Sequence, residues 1–181
     1  SVSTSMSASM SASVPVPGSG IDKSTQNYVL QHGISHLVAA GQISKARSFL
    51  FDVKWLMARK HDILALHDDA SLVLEKCPDD TALGLLERAI DKSIVGCSRD
   101  ARQFPGRLIG HLMSYTATES DIHKLLQSVY AFNHIHEWWY PVTPTMPQAN
   151  DALRYVLYGH TNSVVSVCFS PDGSQIISGS S

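Results

Sequence analysis

The chain has 181 residues, of which 44% are apolar, enough for one packed domain plus flanks. A formal net charge of −2 gives no electrostatic case for binding nucleic acid or an anionic membrane. The three cysteines, Cys77, Cys97 and Cys168, are far apart with no CxxC pair, which points away from a zinc ribbon or a disulfide framework and toward reduced thiols in a cytoplasmic protein. No apolar run reaches the length of about 18 residues that a membrane span needs. The start lacks the basic-then-apolar pattern of a secretory signal.

Residues 1–23 are Ser-rich, with Pro15, Pro17, Gly18 and Gly20, and are expected to be disordered because they bury too little surface to offset the entropy of ordering. Gly18 to Thr25 bears a slight likeness to a phosphate loop. Asp22 stands where the second Gly should precede Lys23, Pro17 where the first should be, and no strand comes before it. Nucleotide binding at this stretch is rejected.

Residues 24–132 read as an α-helical domain. Ser24 is the expected N-cap of a helix over 25–40, with Leu30, Ile34, Leu37 and Val38 forming one stripe and Gly41 the stop. His32 and His36, four apart, fall on the opposite face and read as solvent-facing rather than metal-binding. A second helical stretch follows Ser44 through Lys60, and the sequence leaves open whether Asp52 divides it. Ile63 to Lys76 reads as another helix, stopped by Cys77-Pro78. Asp79 or Asp80 then caps a long helix to about Cys97, with Leu83, Leu86, Ile90 and Ile94 inside. Asp68-Asp69 and Asp79-Asp80 do not converge on one atom as a catalytic carboxylate pair does, so capping and solvation are expected of them.

Phe104 to Leu112 reads as a helix with Pro105 in its first turn and a Phe104, Leu108, Leu112 stripe. Gly106 and Gly110 weaken it by about 1 kcal/mol each against Ala, so it should rely on a closely packed neighbour. Thr118 and Asp121 fit a capping box ahead of Ile122, Leu125, Leu126 and Val129.

From 133 to 152 the helical pattern is lost, and Pro141, Pro144 and Pro147 favour an extended linker. Trp138, Trp139 and Tyr140 are the expected anchors pinning it to the helices. His134, His136 and Glu137 resemble a zinc ligand set without a second cluster, and an interfacial or exposed role is preferred.

Residues 153–181 change period. Leu153 to Tyr158 alternates as a strand leading into Gly159-His160. Val165, Val167 and Phe169 alternate with Ser166 and Cys168, Ser170-Pro171-Asp172-Gly173 has the pattern of a type I turn, and Gln175 to Gly179 supplies the return strand. Gly-His, strand, Ser-Pro-Asp-Gly and Ser-Gly-Ser in this order closely resemble the first repeat of a WD40 propeller. Such a propeller needs at least four blades of about 40 residues, so the chain is expected to be part of a longer protein, in keeping with Ser1 as its first residue.

The expected fold is mainly α: a bundle or superhelical array of about six or seven short helices, then two or three strands of an incomplete blade. Tyr28 to Lys60, Gln103 to Leu112 and Trp139 to Gly173 resemble the helical arm and first WD40 repeat of signalling NTPases like the apoptotic protease-activating factor. The resemblance implies an upstream nucleotide-binding module holding ATP or dATP, a helical arm, and a ligand-sensing propeller. It also implies that His160 and Ser178 belong to a structural hydrogen-bond network after Gly159. The expected function is a non-catalytic scaffold acting through protein partners and neighbouring domains, with no catalytic, cofactor or metal site in this chain. Two other readings stand beside it: a TPR-like adaptor before a propeller, which a 34-residue self-similarity would favour, and a metal-dependent enzyme using His32, His36, His134, His136 and Glu137.

Overall fold

The computed structural model describes residues 22–136, 139–152 and 159–181. Among these, seven α-helices precede a two-stranded antiparallel sheet. The helices are α1 (Lys23–Ala39), α2 (Ile43–Leu50), α3 (Val53–Arg59), α4 (Ile63–Leu74), α5 (Thr81–Arg99), α6 (Phe104–Leu112) and α7 (Ser120–His136), and the strands are β1 (Val164–Phe169) and β2 (Ile176–Ser180). The mainly helical class with a terminal hairpin is as the sequence indicated. The Ser-rich residues 1–21 and the expected strand Leu153 to Tyr158 lie outside the described residues.

Short polar side chains set the helix boundaries. Asp22, not Ser24, caps α1, accepting the Thr25 amide at 2.9 Å. Gly41 ends α1 with φ 72°. Gly41 N–H donates to Val38 O and Gln42 N–H to Leu37 O, at 3.0 and 2.8 Å, the paired bonds of a glycine-terminated helix. Asp52 does divide the next stretch, its carboxylate accepting from Lys54 N at 2.7 Å to start α3. Asp80 rather than Asp79 caps α5, accepting from Leu83 N at 3.0 Å. The expected capping box of α7 is not formed. The Thr118 hydroxyl turns back to Tyr115 O at 3.2 Å, and Asp121 is drawn away by Arg47. Helix α7 also continues past Phe132 to His136, because no proline intervenes before Pro141.

Helix α5 is the central element, packing against α4 and α6 and touching α7. Its Leu83, Leu86 and Ile90 are fully buried and meet Phe104, Leu108 and Leu112 of α6 in one core. Trp55 of α3, Ile34 of α1 and Leu126 of α7 close the other sides. Each such side chain contributes about 1.5–3 kcal/mol by leaving water.

Ion pairs tie the helices together. Arg47 on α2 binds Asp80 through both carboxylate oxygens and Asp121 at 2.8 Å, joining α2 to the first turns of α5 and α7. Arg59 and Asp69 form a buried pair, Nη2 to Oδ2 at 2.8 Å. Solvation was expected for Asp69, and burial corrects it: α4 turns this carboxylate inward while Asp68 stays 83% exposed. Between α4 and α5, His67 Nε2 meets Glu87 Oε1 at 3.0 Å.

Candidate interface between the helical array and the terminal repeat

Residues 139–152 form an extended strap laid across α6 and the middle of α5. The local cause is the sequence Phe-Pro-Gly-Arg-Leu-Ile-Gly-His-Leu. Gly106 and Gly110 lie four apart and so share one helix face, which is bare of side chains at those two points. A Cβ at Gly106 would collide with the Trp139 carbonyl oxygen, and one at Gly110 with the Met146 sulfur and the Pro141 ring. The weak glycine helix and the proline strap therefore require each other.

Polar bonds fix the register of the strap. His111 Nδ1 donates to Pro147 O at 2.6 Å, and Ala149 N donates to His111 O at 2.9 Å. Gln148 Nε2 donates to Gly110 O at 2.9 Å and Met146 O at 2.8 Å, while Gln148 O accepts from the Lys92 ammonium. Asn150 accepts from Arg88 through its side chain and donates its amide to the Tyr115 hydroxyl at 2.9 Å. Ala149 is buried at 1% exposure, so the strap also plugs the core. The Pro147 oxygen can only accept, so the His111 proton sits on Nδ1. Its buried Nε2 has no hydrogen-bond partner among the described residues. Burial first, then the nearby Arg107 and Lys92 charges, hold the imidazole pKa below its usual value, with Pro147 and Asp151 opposing.

The expected aromatic anchors behave differently from one another. Trp138 lies outside the described residues. Trp139 is 98% exposed, and its backbone carbonyl lies against Gly106 of α6. Tyr140 packs edge-on against Tyr130 of α7, ring centres 5.2 Å apart. The residues that carry the attachment are His111, Gln148, Lys92 and Ala149, which the sequence reading did not single out. The glycine pair of α6 was the available signal.

At the far end, His160 Nε2 lies 2.7 Å from Ser178 Oγ, bringing together the two side chains paired by the family resemblance. Gly159 before it has φ 147°, a backbone that side chains rarely adopt. In the turn, Gly173 N–H donates to Ser170 O at 2.9 Å with Gly173 at φ 71°, and Pro171 occupies the second position. Asp172 accepts from the Ser170 hydroxyl at 2.5 Å and from the Ser174 hydroxyl at 2.7 Å. These hydrogen bonds, Ser170 first, lower its pKa to about 2. Strand β1 pairs with β2 in the register Val167–Ser178 and Phe169–Ile176, with an irregularity between Val164 and Ser166. Every residue of β1 is exposed.

His32 and His36 are exposed on α1 and lie tilted against the Tyr28 ring, whose hydroxyl is 2.9 Å from His36 Nε2. Among the described residues, no three His, Cys, Asp or Glu side chains are grouped to hold a metal ion. The side chains of His134 and His136, and Glu137 altogether, lie outside the description. Among the described residues, no helix is long and apolar enough to cross a membrane.

The family model described as WD domain, G-beta repeat matches residues 152–181, so a WD40 repeat begins where the strap ends. Among curated proteins and solved structures, nothing matches the chain. WD40 repeats generally work through protein–protein contacts and are typically non-catalytic.

Proposed function

We propose that this chain is a non-catalytic scaffold segment in which a helical arm holds a WD40 propeller at a set position relative to a nucleotide-binding signalling module placed upstream in a cytoplasmic protein. The observation that carries the reading is the strap. Residues 139–150 are bound to α6 through His111 and Gly110 and to α5 through Arg88 and Lys92, and the WD40 match starts at 152. A flexible linker would let the two parts move independently. A strap fastened to a buried helix transmits a rotation of one to the other. ATP or dATP would act on the upstream module, and the propeller would contact protein ligands.

The test uses the full-length encoded protein. Gly106→Ala displaces the strap without touching the propeller or the nucleotide site. Nucleotide-dependent assembly, followed by light scattering after size-exclusion chromatography, is expected to change in the variant. Unchanged assembly, or flanking coding sequence with no phosphate loop upstream, overturns the reading.

A further inference from the structure

We propose that the open groove between α6 and the strap binds an acidic peptide segment of a partner protein, a carboxylate seated on Arg107 and a neighbouring apolar side chain on Trp139 and Met146. The groove has a volume of about 340 Å³ and is lined by Gln103, Arg107, Trp139, Tyr140, Pro141 and Met146. Arg107, the one cation among its described lining residues, is held in place. The Arg107 guanidinium lies flat on Gly96 of α5, where a Cβ would occupy the same space, and its Nε donates to Gln103 Oε1 at 3.2 Å. That amide orients the fork, and among the described residues no carboxylate pairs with it. Among the described residues the arginine ion pairs are those of Arg47, Arg59 and Arg102, and no acidic residue lines the groove.

A fixed guanidinium presents parallel donors that match a carboxylate, and little rotamer freedom is lost on binding. The walls favour a peptide over a free phosphate, which is better met by several cations than by one cation among rings. Trp139 is 98% exposed although its carbonyl is pressed against Gly106, so a large apolar surface is displayed from a fixed backbone. Trp, Tyr, Arg and Met together are the residue types enriched where protein interfaces are most buried.

The probe is the amide-capped tetrapeptide Leu-Glu-Pro-Leu, with Leu-Gln-Pro-Leu as control, titrated into the ¹⁵N-labelled chain. The Arg107 Nε–H and Trp139 indole N–H resonances report directly from the groove. Both are expected to shift saturably with the Glu probe, and about tenfold more weakly with the Gln probe, the loss of one charge-assisted contact. Arg107→Gln and Trp139→Ala are each expected to weaken binding at least about tenfold, and Arg107→Lys, which keeps the charge and loses the fork, by a lesser factor. Far-ultraviolet circular dichroism checks that the variants fold. Absence of saturable shifts, or equal response to both probes, overturns the proposal. So do cross-relaxation peaks between the Trp139 indole and residues 164–180, which would show the chain's own repeat filling the groove.

Discussion

His111 Nδ1 donates to the Pro147 carbonyl at 2.6 Å, and this one bond joins the buried side of α6 to the segment that leads into the WD40 repeat. Its neutral form is the one the fold accepts, since burial holds the pKa below the usual value. The unfolded chain takes up the proton near pH 6.5, so this contribution is intact above that value and is lost as pH falls toward the folded pKa. His67 has the opposite sign. Its pKa is raised, chiefly by the hydrogen bond it donates to Glu87, so it adds stability below about pH 6.5 that disappears as pH rises through the folded value. His111→Asn, whose amide can still donate to Pro147, is expected to cost about 1 kcal/mol at neutral pH and to flatten the acid loss. His67→Gln is expected to steepen it. Urea midpoints at mildly basic and mildly acidic pH for the three proteins check both signs.

Two glycines should respond to Ala in opposite directions. At Gly84, inside α5, nothing lies within 4 Å of an added Cβ, so Gly84→Ala is expected to stabilise by about 0.5–1 kcal/mol through helix propensity alone. At Gly106 the obstacle is backbone, the Trp139 carbonyl, which cannot rotate aside as a side-chain tip does. Gly106→Ala is expected to destabilise by about 1–3 kcal/mol and to open the strap to proteolysis between 139 and 150. Chemical denaturation with limited proteolysis separates the two effects. Equal stabilisation of both variants would mean that the strap is not held on α6.

The buried Arg59–Asp69 pair is a charge problem only partly solved. Burial raises the Asp69 pKa to about 6 even though Arg59 pulls it down, and Arg59 Nε has no partner. Removing one member should be far worse than removing both. Asp69→Ala is expected to cost about 3–5 kcal/mol because it strands the guanidinium, while Arg59→Met with Asp69→Leu stays near neutral. Asp68→Ala, next door and exposed, is expected to change stability by less than about 0.5 kcal/mol. Denaturant midpoints of the four proteins form the comparison.

These cases show where sequence reasoning reached and where it stopped. Apolar spacing located the stripes of α5, α6 and α7 because 3.6-residue periodicity is a local property. The strap attachment is not local. His111 and Pro147 are 36 apart in sequence, and a lone histidine in an apolar helix does not announce its partner. Asp68 and Asp69 look alike in the chain, and only the packing of α4 on α3 decides which one turns inward. Thr118 and Asp121 had the right spacing for a cap, yet Arg47, 74 residues away, outcompeted the local bond for Asp121. Large apolar residues usually bury, which makes Trp139 look like an anchor in the sequence, whereas its backbone makes the contact and the residue faces water. In the repeat it is the family resemblance that pairs His160 with Ser178, and the two side chains lie 2.7 Å apart.

That His160–Ser178 bond gives the last prediction. It connects the residue after Gly159 to the middle of β2 at 2.7 Å, and it is exposed. A two-stranded hairpin is marginal by itself, and every residue of β1 is open to solvent. Amides of residues 164–180 are therefore expected to exchange with deuterium at least about a thousandfold faster than those buried in α5, which open only with the whole helical core. Ser178→Ala removes about 1 kcal/mol of local stability, so hairpin exchange should quicken about fivefold while exchange in α5 stays the same. A slowing of the wild-type hairpin to the rate of α5 would mean that the repeat is packed against another surface. Loss of protection in α5 on Ser178→Ala would mean that the repeat and the helices open as one unit.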